Sequence, residues 1–354
     1  MPFLAPIIAG LSGMGFAAWA SATLVPALIR TGATILISAI VTNATARSAT
    51  ASLSSSRTVT VREPIRPRDI TYGRTRKGGT IIFCPTSGPA PLYDQSKKTL
   101  LHLVIALGVG PVKSIGAVYF DGVMAVDAQG VAQGRWDGLV TVYKRLGLAD
   151  QTAFSELFAP SGGQWTAKCR LRGVAAIYVQ LKFNVDAFPG GIPNISVDIE
   201  GKNDILDPRT GLRGYSENPA LCLADYMALS GYGLNAAIGA ANGITTADLI
   251  EAANICDERV TLKSGGTEPR YSLNGVVILS DTPKAIIEAM LSAMAGRALN
   301  PDGAWRLRAG AYRLPSVTLT ADEARGALKL TTRVSRGDNF NAVRGKFVSP
   351  DNDW

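Results

Sequence analysis

At 354 residues the chain is long enough for two or three domains, and 47% hydrophobic against 18% charged residues excludes a disordered chain. A balance of 36 Lys+Arg against 28 Asp+Glu gives a formal charge of +8, which suits nucleic acid, an acidic membrane or an acidic protein neighbour without choosing among them. The 37 glycines and 19 prolines ask for many turns, as in β-rich architecture built from short strands.

The chain opens on an apolar stretch. No charged residue lies between Phe3 and Ile29, and Arg30 is the only one before Arg47. Its length suits a membrane span, but Pro6, Gly10, Gly13, Gly15 and Pro26 break a helix, and no Lys or Arg precedes it as in a secretory signal. Ala9, Gly13 and Ala17 recur at a spacing that lets two backbones approach closely. Three readings stay open: an arm buried in protein, a membrane-inserting segment, and a processed leader. Thr45 to Ser56, rich in Ala, Ser and Thr, reads as a linker and places a boundary near residue 57.

Arg57 to Arg62 alternates polar and apolar residues and predicts a half-buried strand, which Pro64 and Pro67 end. Ile70–Gly73 and Gly79–Cys84 predict two short strands around a basic turn, Arg74 to Gly78. Leu100 to Leu107 predicts a buried strand. Asp121-Gly122, between Val118–Phe120 and Val123–Ala125, is a two-residue hairpin turn in which both positions need positive φ. Val140–Tyr143, Cys169–Leu171, Ala176–Phe183 and Ile195–Ile199 predict further strands, with a short helix over Asp150–Phe158. The period then changes. Asn218 caps a helix with Pro219 at its first turn, and Gly231 stops it. A second helix starts near Thr246, and a third runs from Asp281-Thr282-Pro283 to Gly296 with Ile286, Ile287, Met290, Leu291 and Met294 as one stripe. A hairpin turning at Asn300 to Gly303 follows, and Ala327 to Val348 again reads as strands. The abrupt end at Pro350 to Trp354 carries the expectation that the native chain continues.

Residues fit for chemistry are few. His102, the single histidine, sits in an apolar run and is read as a satisfied core residue. There is no Gly-x-Ser-x-Gly elbow and no phosphate loop. Cys84, Cys169, Cys222 and Cys256 form no CxxC pair and are read as buried small hydrophobes of a protein made in a reducing cytoplasm. Asp225, Glu251 and Glu258 fall on predicted helices without an inward-facing pair, so no glycosidase-type couple is assigned. The expectation is a chain that is not an enzyme, with no catalytic, cofactor-binding or metal residues. The basic run Arg57, Arg62, Arg66, Arg68, Arg74, Arg76 and Lys77 has only Tyr72 for stacking, so it is read as solvated turns and ion pairs to a neighbouring subunit rather than sequence-specific nucleic-acid binding.

Several blocks carry a resemblance. Tyr215-Ser216-Glu217-Asn218-Pro219-Ala220 runs into Leu223 to Met227 and then Gly231-Tyr232-Gly233. Asn254 to Asp257, Gly265 to Tyr271, Asn339 to Val343 and Ser349 to Asp351 follow in order. Their order and spacing over residues 205–354 resemble the tip attachment protein J family of lambda-like long-tailed phages. Pro67 to Arg74 and Gly79 to Phe83 are similar to a stretch common in related tail proteins. The resemblance implies an α+β, mostly β chain: tail-tube-like β-barrels, a smaller α+β domain and the apolar N-terminal arm. On that plan, residues 1–56 are arm and linker. Residues 57–110 and 168–206 form the first barrel around an inserted β-rich subdomain at 111–167. Residues 207–314 form the α+β domain, and 315–354 supply strands of a second barrel. Two barrels per subunit would let a homotrimer meet a hexameric tail tube at the tail tip of the virion, after assembly in the host cytoplasm. Distal tail and tail-tube proteins are then the partners, with tail fibres, the tape measure protein and a host receptor beyond them. The alternative is a membrane-active tail-tip protein whose N-terminus contacts the host membrane during DNA delivery.

Overall fold

The structure, a computed structural model, describes residues 66–88, 100–263 and 265–313, and single positions 317, 320, 323 and 326. The apolar arm, the Arg57–Arg62 strand and most of 315–354 lie outside the described residues. The chain divides into two units, Met1–Ala309 and Gly310–Trp354, and the elements below belong to the first.

The described part is α+β and mostly β. In chain order the first strands are β1 (Asp69–Tyr72), β2 (Arg74–Gly78), β3 (Thr80–Phe83), β4 (Thr86–Ser87), β5 (Leu100–Val109), β6 (Val112–Phe120), β7 (Val123–Val126), β8 (Val140–Leu146), β9 (Val174–Lys182) and β10 (Ile195–Lys202). Two antiparallel sheets result. One has the order β2-β10-β6-β7, the other β3-β5-β9-β8, with β4 also on β5. Alternation explains the layers. Ile195, Val197 and Ile199 of β10 share one apolar core with Leu101, Leu103, Ile105 and Leu107 of β5 and Ile177, Val179 and Leu181 of β9. The outward residues of β5 and β9 are covered too: Val104, Ala176 and Tyr178 pack under Phe154, Leu157 and Trp165. Burial on both faces is why Leu100–Leu107 reads as a continuous apolar run.

Closed barrels were expected, but no sheet among the described residues closes. The pairings stop at β2 and β7 in one sheet and at β3 and β8 in the other. The chain passes between sheets at Gly79, where a Cβ would collide with the Ala106 carbonyl and Ile105. At the opposite side Lys144 bridges the gap: its ammonium donates to the carbonyls of Gly116 (2.7 Å) and Ala128 (3.1 Å).

The remaining elements form a helical lobe: β11 (Ile205–Asp207), β12 (Leu212–Gly214), α1 (Pro219–Ala228), α2 (Thr246–Asp257), β13 (Arg259–Thr261), β14 (Thr267–Pro269), β15 (Gly275–Ile278), α3 (Pro283–Ser292), β16 (Arg297–Leu299) and β17 (Arg306–Arg308). Two of the helices start where the sequence places their caps, and the second starts at Thr246 as read. Asn218 accepts from the Ala220 and Leu221 amides, and Thr282 accepts from the Ala285 amide. Leu221, Leu223, Tyr226 and Met227 of α1, Leu249 and Ala253 of α2, and Ile286 and Met290 of α3 make a core separate from that of the sheets.

Three expectations of local structure change. Arg74–Gly78 is a strand, not a turn, because its charges are matched: Arg76 pairs with Asp198 at 3.0 Å and Lys77 with Asp69 at 2.8 Å. Strand β1 pairs with β15 of the helical lobe. Within 111–167, β6 pairs with β10 and β8 with β9. Asp150–Phe158 has only a 3₁₀ turn at Ser155–Leu157, and Cys169–Leu171 is no strand. In that loop the buried Gln151 side chain donates to the carbonyls of Arg170, Leu171 and Val174 and accepts from the Gly147 amide, a set of local bonds that replaces helix and ladder. The Asp121-Gly122 turn forms as read, with φ of 50° and 85°.

Candidate functional site at the lobe junction

The lobe and the sheets meet where β1 becomes β2. Gly73 stands between them at φ 65°, and a Cβ there would overlap the Asn274 side chain and the Leu273 carbonyl. The Arg74 amide donates to Asn274 Oδ1 at 2.7 Å, and the Gly201 amide donates to the Gly73 carbonyl at 2.8 Å. Gly201 is equally confined: a Cβ would meet the Thr71 carbonyl. Three chain segments therefore cross at backbone distance, which only glycine permits.

Beside this crossing lies a buried polar group. The Tyr72 hydroxyl donates to Asp225 Oδ2 at 2.6 Å. The Lys202 ammonium, at the end of β10, donates to both Asp225 oxygens at 2.7 Å and lies 3.3 Å from Asp204. Tyr72 is fully buried, and Lys202 and Asp225 retain 8% and 9% of their exposure. Burial, then the Asp225 charge, pushes the Tyr72 phenol well above its ordinary range, so it stays a donor. Burial likewise raises the Cys222 thiol, one turn before Asp225, away from the reactive thiolate. Both carboxylate oxygens are engaged by donors from β1 and β10. The arrangement holds α1 against the sheets. Asn218 extends the hold, its Nδ2 donating to the Ala253 carbonyl at the end of α2.

The other acids from the sequence stand apart from Asp225. Glu251 binds Arg308 at 2.6 Å, while Glu258 binds Arg270 at 2.8 Å. Cys222 and Cys256 are buried as expected, but Cys84 and Cys169 are only half-buried. Of the basic run, Arg76 and Lys77 are built into the fold, while Arg68 and Arg74 are exposed and Arg57 and Arg62 lie outside the described residues. Arg76 packs 3.6 Å from the Tyr119 ring centroid and shares Asp198 with the Tyr119 hydroxyl. The acids that pair with Arg76 and Lys77 lie in the same chain, not in a neighbour. Sequence reasoning missed Lys202 and Tyr72. The available signal was a lysine ending an otherwise alternating strand and, two short strands later, a helix that carries a carboxylate on its apolar face.

His102 is a satisfied core residue, as read. Its Nε2 lies 2.8 Å from Ser87 Oγ and its Nδ1 2.7 Å from the Tyr178 hydroxyl. Burial holds the imidazole below its ordinary pKa. The unfolded chain then takes up this proton at higher pH than the folded chain does. The neutral ring's contribution to stability is complete above about pH 6.5 and is lost as pH falls from there toward the lowered folded value. Urea midpoints at pH 7.5 and 5.5 should therefore differ more in the native chain than in His102→Gln. Equal differences would contradict this assignment.

The lobe also presents an arm. Every described residue from Asp257 to Arg270 is exposed, including both strands of the β13–β14 hairpin, with Val260 and Leu262 on it. An isolated hairpin is marginal in water. This one is clamped at its base by the Arg270 amide on the Glu258 carbonyl and by the Arg270–Glu258 ion pair.

No family model matches the chain, and no curated protein does. Among solved structures the chain is similar to one described as "Virion of native gene transfer agent (GTA) particle", at 20% identity and a TM-score of 0.40. The likeness covers 75% of this chain and 58% of that one, so this chain spans little more than half of the matched protein.

Proposed function

We propose that this chain is the structural hub of a phage tail tip, a homotrimer that joins the hexameric tail tube to the distal receptor-binding fibre and closes the tube before DNA ejection. The reading rests on the resemblance of its sequence blocks to tail tip proteins, and one observation carries it. The two stretches that hold the resemblance, Pro67–Arg74 and Tyr215–Met227, meet in space: Tyr72 of the first donates to Asp225 of the second across 153 residues of chain. Blocks kept in order for chance reasons have no cause to converge on one buried contact.

The architecture suits such a role. Among the described residues two open sheets end in β2, β7, β3 and β8, and edges of this kind invite association. A closed symmetric ring covers edges of this kind with neighbouring copies or with tail-tube proteins. A connector under mechanical load requires a rigid junction such as the one that fixes the lobe against the sheets, and the exposed arm offers a contact to a distal partner. In this role the chain works through its surfaces rather than through a reaction.

Antibody raised against the Arg259–Pro269 arm tests the placement. Electron microscopy of particles encoding this chain should show label at the distal end of the tail. Label on the capsid, or on no particle, would count against the reading.

A further inference from the structure

The outer face of the β3-β5-β9-β8 sheet is covered over only part of its extent. Where the Phe154–Trp165 cap stops, a groove of ≈ 260 Å³ lies open, with Thr80 and Ile82 of β3, Ala106 and Val109 of β5, and Val174 of β9 on its floor and walls. Ile82 keeps 43% of its exposure there, and among the described strands β3 has a neighbour on one side only. The remaining wall is the chain's own Arg66 to Asp69. Arg66 reaches in beside the corner, its guanidinium 3.4 Å from the Gly79 carbonyl.

We propose that this groove seats the segment just before Arg66, and that Val59, Val61 and Ile65 of this same chain fill it, with the segment adding to the free edge of β3. Connectivity is the first reason. Sixty-five residues precede Arg66, and Ile65 is one peptide unit, about 3.8 Å, from a residue that lines the groove. A tethered segment competes at an effective concentration that a free partner does not reach. Pattern is the second reason. Arg57-Thr58-Val59-Thr60-Val61-Arg62 alternates polar and apolar residues, so an added strand would turn Val59 and Val61 to one face and leave Thr58 and Thr60 on the other. The groove's open, mostly aliphatic lining is the surface such a face needs, and its volume admits a few side chains but no domain. This inference does not depend on the tail-tip reading.

Hydrogen exchange of the full chain, followed by mass spectrometry of peptides spanning residues 57–65, tests it. The amides around Val59 and Val61 should exchange at least about tenfold more slowly than in a free peptide of that sequence. Ile82→Glu, at an exposed position, should remove that protection, as should Val59→Glu with Val61→Glu, while β5 and β9 peptides stay protected in each variant. Exchange at the free-peptide rate in the native chain would overturn the proposal, as would protection that survives Ile82→Glu. A cysteine at position 59 or 61 paired with Ile82→Cys decides between own chain and neighbour: a cross-link within one chain supports the proposal, and a chain-to-chain cross-link, or none in either pairing, overturns it.

Discussion

Asp225→Ala should lower the stability of the fold by about 3–5 kcal/mol, because it strands a buried ammonium and a buried phenol at once. Lys202 and Tyr72 are both held by this carboxylate at 2.6–2.7 Å, and Lys202 keeps only a partly exposed second partner, Asp204. Against a typical total of about 5–15 kcal/mol, such a loss is a large share. The pair itself is a different matter from its breakage. Lys202→Met combined with Asp225→Leu removes both charges and should recover the part due to the stranded ammonium, leaving the about 1–3 kcal/mol of the unpaired Tyr72 phenol. Urea unfolding of the native chain, the single variant and the double variant measures both effects. A single variant within about 1 kcal/mol of the native chain would show that the junction is not held as described.

Gly73→Ala is expected to cost about 3 kcal/mol or more, the sum of a conformational part and a steric part. The conformational part is the left-handed backbone, at about 1–2 kcal/mol for a residue with a Cβ. The rest is overlap with the Asn274 side chain and the Leu273 carbonyl, where relief requires moving β15 away from β1. Gly211 supplies the control. It sits at φ 74° in the turn between β11 and β12, and a Cβ there would meet nothing within 4 Å, so Gly211→Ala should lose only the conformational part. Thermal or urea unfolding of the two variants should therefore separate them clearly. Equal losses would mean that the close crossing at Gly73 does not govern the junction.

Much of this architecture was legible in the sequence because local signals and the final structure agree. Asn218-Pro219 and Thr282-Pro283 start helices where the caps say they should, and Asp121-Gly122 turns the β6–β7 hairpin. The errors have a common cause. Arg74–Gly78 looks like a loop by composition, but Asp69 and Asp198, 8 and 122 residues from their partners, make its charges compatible with a strand. Strand β1 looks continuous with β2 and β3, yet Gly73 diverts it to β15, some 200 residues on. Sheet membership depends on such long-range partners, and no local pattern reports them. The junction was half visible. Asp225 stood out as an acid on an apolar helix, but the cation and phenol that explain it come from strands 23 and 153 residues away.

In the proposed role a connector must keep its parts in fixed relation, and the Tyr72–Asp225–Lys202 group with the glycine crossing would supply that stiffness within the described residues. The sheet edges left at β2, β3, β7 and β8 are then surfaces for neighbours, apart from whatever part of β3 the chain's own segment covers. Copy number is the quantity on which the proposed role turns. Electron cryomicroscopy of the assembled particle should show this chain at the distal end of the tail with three copies about the tail axis, beneath a six-fold tube. One copy, six copies, or density for the chain away from the tail would contradict it.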